Sequence, residues 1–322
     1  MFVVLGLLVI FAIVFASAKA EGASSVTLHS IPYQGLTDGE GQSLPELKFK
    51  VYLPNSYEDN QETRFPVIYL LHGANGGFGD SEWESFFPVL DRLTADGSIP
   101  PMIAVAPVAG NSYWVDSHLF GPYETAVVQG LIGHMDANYR TLPHREHRFL
   151  AGFSMGGYGA LRYGLAYPEL FEAAILLSPF VQQQEPPATS RAVLGGAFAG
   201  PDGTFGLKLW DRKNYPALLA SYAKQQYKVR FFIYATDDDW NHMNEKEDLP
   251  ADAWRYNMEV QAVLLYSALK CQNPFNISFS KGEDTPGNPA ELRIVNGGHE
   301  ISVWLGGFHE GLLYLFDSSD GH

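Results

Sequence analysis

The sequence predicts a single α/β domain built on a mostly parallel central sheet with helices on both faces. Three observations predict it. Continuous apolar runs of strand length alternate with stretches of helical periodicity through most of the chain. That alternation marks βαβ units, whose right-handed crossovers lay helices over both faces of a parallel sheet. One such run, Phe149-Leu150-Ala151, passes directly into Gly152-Phe153-Ser154-Met155-Gly156 and then into a helical stretch. Two later runs end in chemically loaded turns, Asp237-Asp238-Asp239 and Gly297-Gly298-His299.

Residues Met1 to Ala20 differ in composition from the rest. Phe2 to Phe15 is an apolar run of about 14 residues, short of the roughly 20 needed to span a bilayer. Small residues follow, Ala16-Ser17-Ala18-Lys19-Ala20, so a secretory signal peptide over 1–20 with cleavage after Ala18 or Ala20 is expected, although no Lys or Arg precedes the run. The expected location is secreted or periplasmic, with no stable membrane insertion after cleavage. The single Cys271 excludes an intrachain disulfide, so stability must rest on the core. Net charge of −15 argues against a nucleic-acid partner or an anionic membrane surface. Asn276-Ile277-Ser278 is a glycosylation sequon whose relevance depends on the host.

From residue 21 to 322 no linker, charge block or internal repeat divides the chain, which is read as one domain. Val26 to Ile31 and Leu47 to Leu53 alternate apolar with polar residues and read as half-buried antiparallel strands. Pro66 to Leu71 and Met102 to Val108 are continuous apolar runs suited to buried parallel strands, with a helix over Trp83 to Ala95 between them. Tyr123 to Tyr139 is helical, with Val127, Leu131, His134, Met135 and Asn138 near one face. After the Ser154 turn come a strand at Ala173 to Leu177, a helix at Tyr215 to Tyr222 and a strand at Val229 to Ala235. A helix over Ala253 to Leu269, strands at Phe275 to Lys281 and Leu292 to Val295, and a closing helix over Ile301 to Phe316 complete the reading. The Gln-, Gly- and Pro-rich stretch of about 180–214 breaks the rhythm and is expected to be a cap over the pocket, with a short helix around Ser190 to Phe198.

The turn at Ser154 has the order strand, serine, helix that a nucleophile elbow requires. Glycines two before and two after the serine remove Cβ atoms that would clash in so sharp a turn. The helix that follows aims backbone N–H groups and its positive end at the reacting centre. A free serine hydroxyl is a poor nucleophile and needs a base with an orienting acid. In this architecture the acid and then the histidine follow the serine, each at the end of a strand. Thr236-Asp237-Asp238-Asp239 and Asn296-Gly297-Gly298-His299 satisfy that order. His299 is thus the candidate base, with Asp239 or, alternatively, Asp238 as its acid. Asp237 to Asp239 with His242 also form a candidate metal set. His144-Arg145-Glu146-His147 matches neither zinc-protease spacing and is set aside. Two oxyanion donors are expected: the N–H of Met155, and one from the loop after Leu71, where Gly73 and Gly76-Gly77 let backbone approach a ligand.

Leu70-Leu71-His72-Gly73, the run from Tyr139 through Arg148 to Gly152-Phe153-Ser154-Met155-Gly156-Gly157, and Gly298-His299 with Trp304 together resemble the esterase D family of α/β-hydrolases. That family holds S-formylglutathione hydrolases, feruloyl and acetylxylan esterases, siderophore esterases and mycolyltransferases. The resemblance covers roughly residues 45 to 316 and is vague in the cap. It implies an α/β-hydrolase fold, a Ser–Asp–His triad, and an oxyanion donor from the residue after His-Gly, here Ala74. Family members place the acid three residues after a glycine that ends its strand. This chain has no such glycine: counting from Thr236 gives Asp239, and from Ala235 gives Asp238. Strand register favours Asp239.

The expected activity is therefore hydrolysis of a carboxylic ester through an acyl-enzyme, with no metal or organic cofactor. The expected substrate is a small-molecule or polysaccharide-linked ester. Acyl transfer of the mycolyltransferase kind would use the same residues while excluding water. A catalytically silent carbohydrate- or protein-binding relative is the third reading.

Overall fold

The computed structural model describes residues 23–75, 82–239, 256–271 and 290–316. The expected signal peptide, Gly76-Gly77, His242, the beginning of the helix expected from Ala253, the strand expected at Phe275 to Lys281 and the sequon at Asn276 lie outside the described residues.

The elements, in chain order, begin with strands β1 (Ser25–Thr37), β2 (Ser43–Leu53) and β3 (Val67–Leu71) and helix α1 (Glu82–Ala95). Strand β4 (Ile103–Pro107) leads to a two-stranded ribbon, β5 (Asp116–Ser117) and β6 (Gly121–Pro122). Helix α2 (Tyr123–Thr125) continues through a π-helical turn (Ala126–Leu131) into α3 (Ile132–Asn138). Then come β7 (Arg148–Phe153), α4 (Met155–Ala166), β8 (Ala173–Leu177), α5 (Arg191–Leu194), α6 (Leu207–Lys213) and α7 (Tyr215–Tyr222). Strand β9 (Arg230–Thr236), helix α8 (Met258–Cys271), strand β10 (Ala290–Val295) and helix α9 (Ile301–Phe316) complete the described elements.

Eight strands form one sheet in the order β1-β2-β4-β3-β7-β8-β9-β10. The first two pairings, β1 with β2 and β2 with β4, are antiparallel. From β4 across to β10 every pairing is parallel. Alternation along the parallel strands divides the core into two layers, because successive side chains of a strand point to opposite faces. Ile68, Leu70, Phe149, Ala151, Phe153, Ile175, Leu177 and Phe232 meet Phe86, Leu90 and Leu93 of α1 and Trp304, Phe308 and Leu312 of α9. Val67, Tyr69, Leu71, Leu150, Leu176, Phe231 and Ile233 meet the opposite layer, which includes Leu161 of α4, Leu219 of α7 and Leu265 of α8. Strands buried on both faces carry no polar alternation, which is why they read as unbroken apolar runs.

One helix differs from expectation. The helix expected over Tyr123 to Tyr139 contains a π turn, and this extra residue lets Ala126 and Leu131, five apart, both be fully buried. Of the residues expected near one face, Val127, Leu131 and Met135 are buried, His134 is half-buried edge-on against Phe49, and Asn138 is exposed, its side-chain amide donating to the His134 carbonyl at 2.8 Å. The stretch 180–214, expected as a cap with a short helix, carries α5 and α6 and packs on α4. Its Phe198 and Trp210 lie edge to face, 4.9 Å apart, and both pack on Tyr158 of α4. Helix α4 is also pinned electrostatically: the Arg162 guanidinium donates to both carboxylate oxygens of buried Glu124, at 2.9 and 3.0 Å, and to the Lys213 carbonyl at 2.6 Å. Tyr167 donates a further bond to Glu124 at 2.8 Å.

Candidate active site

The parallel register brings five strand ends to one edge of the sheet. Leu71 pairs with Gly152, Phe153 with Leu177, Leu177 with Tyr234, and Thr236 with Val295. Each loop carrying a candidate residue leaves the sheet at that edge, where ligands of open parallel sheets bind.

Ser154 occupies the junction of β7 and α4 with φ 54° and ψ −119°, a conformation that few residues with a Cβ adopt. The turn closes so tightly that side chains on its glycines have no room. A Cβ at Gly152 would lie 2.2 Å from the Gly156 carbonyl oxygen, and one at Gly156 would lie 1.7 Å from the Leu71 oxygen. The strained residue is fixed on both sides: its N–H donates to Leu177 at 2.9 Å, and its carbonyl accepts from Phe180 at 2.9 Å and Tyr158 at 3.2 Å. Met155, the first residue of α4, is fully buried.

The loop after β3 lies against this turn, with a Cβ at Gly73 only 3.4 Å from the Ser154 Cβ. Its shape is set by His72. The Ala109 N–H donates to His72 Nε2 at 3.0 Å, so Nε2 carries no proton, and the proton on Nδ1 is donated to the Gly73 carbonyl at 2.7 Å. Trp114 Nε1–H donates to the His72 carbonyl at 3.1 Å. Beyond half-buried Ala74 the chain turns through Asn75, at φ 63°, whose N–H donates to Asn111 Oδ1 at 2.6 Å. The sequence marked His72 only as part of a motif, and Asn111 carried no signal, because its contact joins loops 36 residues apart.

At the end of β9 the three aspartates diverge. Asp239 is 3% exposed, and its Oδ2 accepts from His299 Nδ1–H at 2.8 Å. This contact fixes the imidazole proton on Nδ1 and leaves Nε2 as the basic nitrogen. Asp237 turns to the histidine loop, its Oδ1 accepting the Gly297 N–H at 3.1 Å. Asp238 is exposed, and its backbone N–H donates to the Gly297 carbonyl at 3.1 Å. Thr236, where the resemblance leads one to look for a glycine, is fully buried with its hydroxyl 3.5 Å from Asp239 Oδ2 and 3.4 Å from the Gly298 carbonyl. The structure therefore brings Asp239, not Asp238, to His299. Trp304 lies against His299, their ring centroids 4.8 Å apart. Among the described residues, no three His, Cys, Asp or Glu side chains are grouped to hold a metal ion. No described helix is long and apolar enough to cross a membrane.

A mostly parallel sheet with a serine elbow at its carboxyl edge is the α/β-hydrolase fold, and solved structures agree. A ferulic acid esterase superposes with TM-score 0.65 at 23% identity, covering 92% of this chain and 98% of that one. An S-formylglutathione hydrolase from Agrobacterium tumefaciens superposes with TM-score 0.63 at 16% identity, covering 92% and 96%. The profile of the family described as Putative esterase matches residues 44–264, and the chain belongs to that family. Among curated relatives, an esterase of Mycobacterium tuberculosis is 38% identical over 130 residues, which are 38% of this chain and 27% of that protein. An endo-1,4-beta-xylanase/feruloyl esterase of Xylanibacter ruminicola is 31% identical over 138 residues, 40% of this chain and 19% of that protein. An acetyl esterase of Caldicellulosiruptor saccharolyticus is 32% identical over 136 residues, 42% and 46%. The chain thus spans between a fifth and a half of the length of these relatives.

Proposed function

We propose that the protein is a secreted serine carboxylic-ester hydrolase. The observation that carries the reading is the strained backbone of Ser154, held at φ 54° at the start of a helix by glycines that nothing larger could replace. In the proposed reaction His299 Nε2 takes the proton of Ser154 Oγ as the oxygen attacks the ester carbonyl. The Nδ1–H bond to Asp239 holds the tautomer and stabilises the imidazolium that forms. The N–H groups of Met155 and Ala74 receive the oxyanion of the tetrahedral intermediate. His299 then protonates the leaving alcohol, and water, activated by the same imidazole, releases the acid and restores Ser154.

The names of the relatives support a small acyl group, acetyl or feruloyl, carried on polysaccharide. Export fits such a substrate, and the reading includes cleavage of residues 1–20 after Ala18 or Ala20. The test is mass spectrometry of the mature protein after treatment with a serine-directed phosphonate, alongside turnover of p-nitrophenyl acetate and methyl ferulate. A single adduct on the peptide containing Ser154 and release of the acid are expected. An adduct elsewhere would overturn the assignment. Sequencing of exported protein should begin at Lys19 or Glu21.

A further inference from the structure

A single hydrogen bond restrains an imidazole at one atom. The bond between His299 Nδ1 and Asp239 fixes the tautomer, yet it leaves the ring free to swing about that contact. The His299 side chain is 35% exposed, so water does not hinder such motion. For proton transfer from Ser154 the plane of the ring must be set as well.

Trp304, on the first turns of α9, meets this need. It lies 6% exposed against His299, ring centroids 4.8 Å apart and planes 86° to each other. The same indole stacks on Phe153, the residue before Ser154, at 4.6 Å and 15°. Its Nε1–H donates to Ser178 Oγ at 3.1 Å. Ser178 is itself fixed: it is buried, stands at φ 37°, and its N–H donates to the Tyr234 carbonyl at 2.7 Å. It also directly follows Leu177, whose carbonyl holds the Ser154 N–H. One side chain therefore touches the base, the residue preceding the nucleophile, and the strand end that holds the nucleophile in place.

We infer that Trp304 is a positioning residue, tethered by Ser178, that sets the plane of His299 relative to Ser154. The inference rests on the proposed roles of His299 and Ser154. A Trp that merely filled the core would still need a partner for its buried indole N–H, but it would have no need of the histidine contact. Leu in its place would then cost stability and leave the chemistry unchanged.

Single-turnover release of p-nitrophenolate from p-nitrophenyl acetate reads the acylation step. The downfield proton resonance of His299 Nδ1–H reads the imidazole directly. Trp304→Leu removes the wall, and acylation should fall about 10²-fold with KM within about 3-fold, the scale of loss that a misplaced catalytic group brings. Its Nδ1–H resonance should broaden or vanish. Trp304→Phe keeps a ring on Phe153 and should recover acylation to within about 10-fold of the parent, with the resonance restored. Ser178→Ala, which leaves the indole intact, should lower acylation between about 3- and 10-fold. A folded Trp304→Leu variant with near-parental acylation and an unchanged resonance would overturn the inference. Should that variant not fold, Ser178→Ala and Trp304→Phe decide: parental rates and resonances in both overturn it, and reduced acylation at unchanged Tm supports it. Phosphonate labelling of the parent separates the two readings. A label away from Ser154 removes the proposed function, whereas a label on Ser154 with indifferent Trp304 variants removes only the positioning role.

Discussion

The two flanks of the candidate site are built by different physics. On the elbow flank, β3, β7 and α4 meet at a turn where backbone sterics dictate the sequence. A Cβ at Gly156 would fall 1.7 Å from the Leu71 oxygen. On the histidine flank, β9 and β10 end side by side and their loops meet through side chains, Asp239 to His299 and Asp237 to the Gly297 N–H. Among the described residues other than its chain neighbours, no atom lies within 4 Å of a Cβ placed on Gly298. The first flank is specified by what cannot fit. Apart from Gly297, where a Cβ would fall 2.8 Å from Val303 Cγ2, the second is specified by what pairs, and pairs can be exchanged without disturbing the backbone. The contrast teaches that the turn carrying the proposed nucleophile is bound up with folding, whereas the proposed acid and base can be altered with little effect on the fold.

The largest effect expected is kinetic. Ser154→Ala should lower kcat by about 10⁴-fold or more, and adding His299→Ala should cost little further, because triad members act as a unit. A Ser154→Ala variant that keeps most of its esterase activity would sink the nucleophile assignment. Asp239→Asn should lower kcat about 10³- to 10⁴-fold by favouring the wrong imidazole tautomer, with Tm almost unchanged. Asp238→Asn, at an exposed carboxylate, should leave kcat within about 2-fold of the parent, as substitutions away from such features usually do. The reverse ranking would move the acid to Asp238.

The steric side of the comparison is tested by stability. Gly156→Ala should destabilise the fold by about 3 kcal/mol or more, since strand or helix must shift to admit the methyl group. Gly298→Ala should stay within about 0.5 kcal/mol. Chemical denaturation of both variants checks the contrast, and equal losses would break it.

The smallest effect lies at alkaline pH. Burial pushes the Tyr163 hydroxyl well above its ordinary value, with Glu124 adding to the rise and Arg162 opposing it. A tyrosine whose folded pKa is raised gives stability that is fully present below about pH 10 and lost as pH rises toward the folded value. The loss is about 1.4 kcal/mol per pH unit while the folded form stays protonated. Among the described residues the buried Tyr163 hydroxyl has no hydrogen-bond partner, so Tyr163→Phe should be close to neutral at pH 8. Between pH 10 and 11 it should lose stability less steeply than the parent. Identical slopes would show that Tyr163 does not govern this limb.

Legibility follows the same divide. Ala173 to Leu177 and Ile301 to Phe316 form their elements at the expected bounds, because a strand buried on both faces, or a helix with one apolar stripe, has no choice of register. The π turn at Ala126–Leu131 was illegible, since one extra residue in a helical ladder leaves the composition unchanged. The packing of 180–214 was equally hidden. Trp210 is buried because its indole N–H reaches the Gln184 carbonyl at 3.0 Å and its ring faces Tyr158, neither of which shows in a Gly- and Pro-rich run.

By itself the sequence determined the α/β class, the strand–serine–helix order at Ser154, and the chain order in which an acid and a histidine follow it. These are local matters of side-chain period, missing Cβ atoms and the succession of elements. Tertiary structure showed that Asp239, which the sequence favoured over Asp238, meets His299, and it alone decided that Asn111 holds the Asn75 N–H and that Trp304 lies against Phe153. The contacts of Asn111, of Asp239 and of Trp304 with Phe153 depend on strand ends far apart in the chain, and the parallel register from β4 across to β10 brings those ends together.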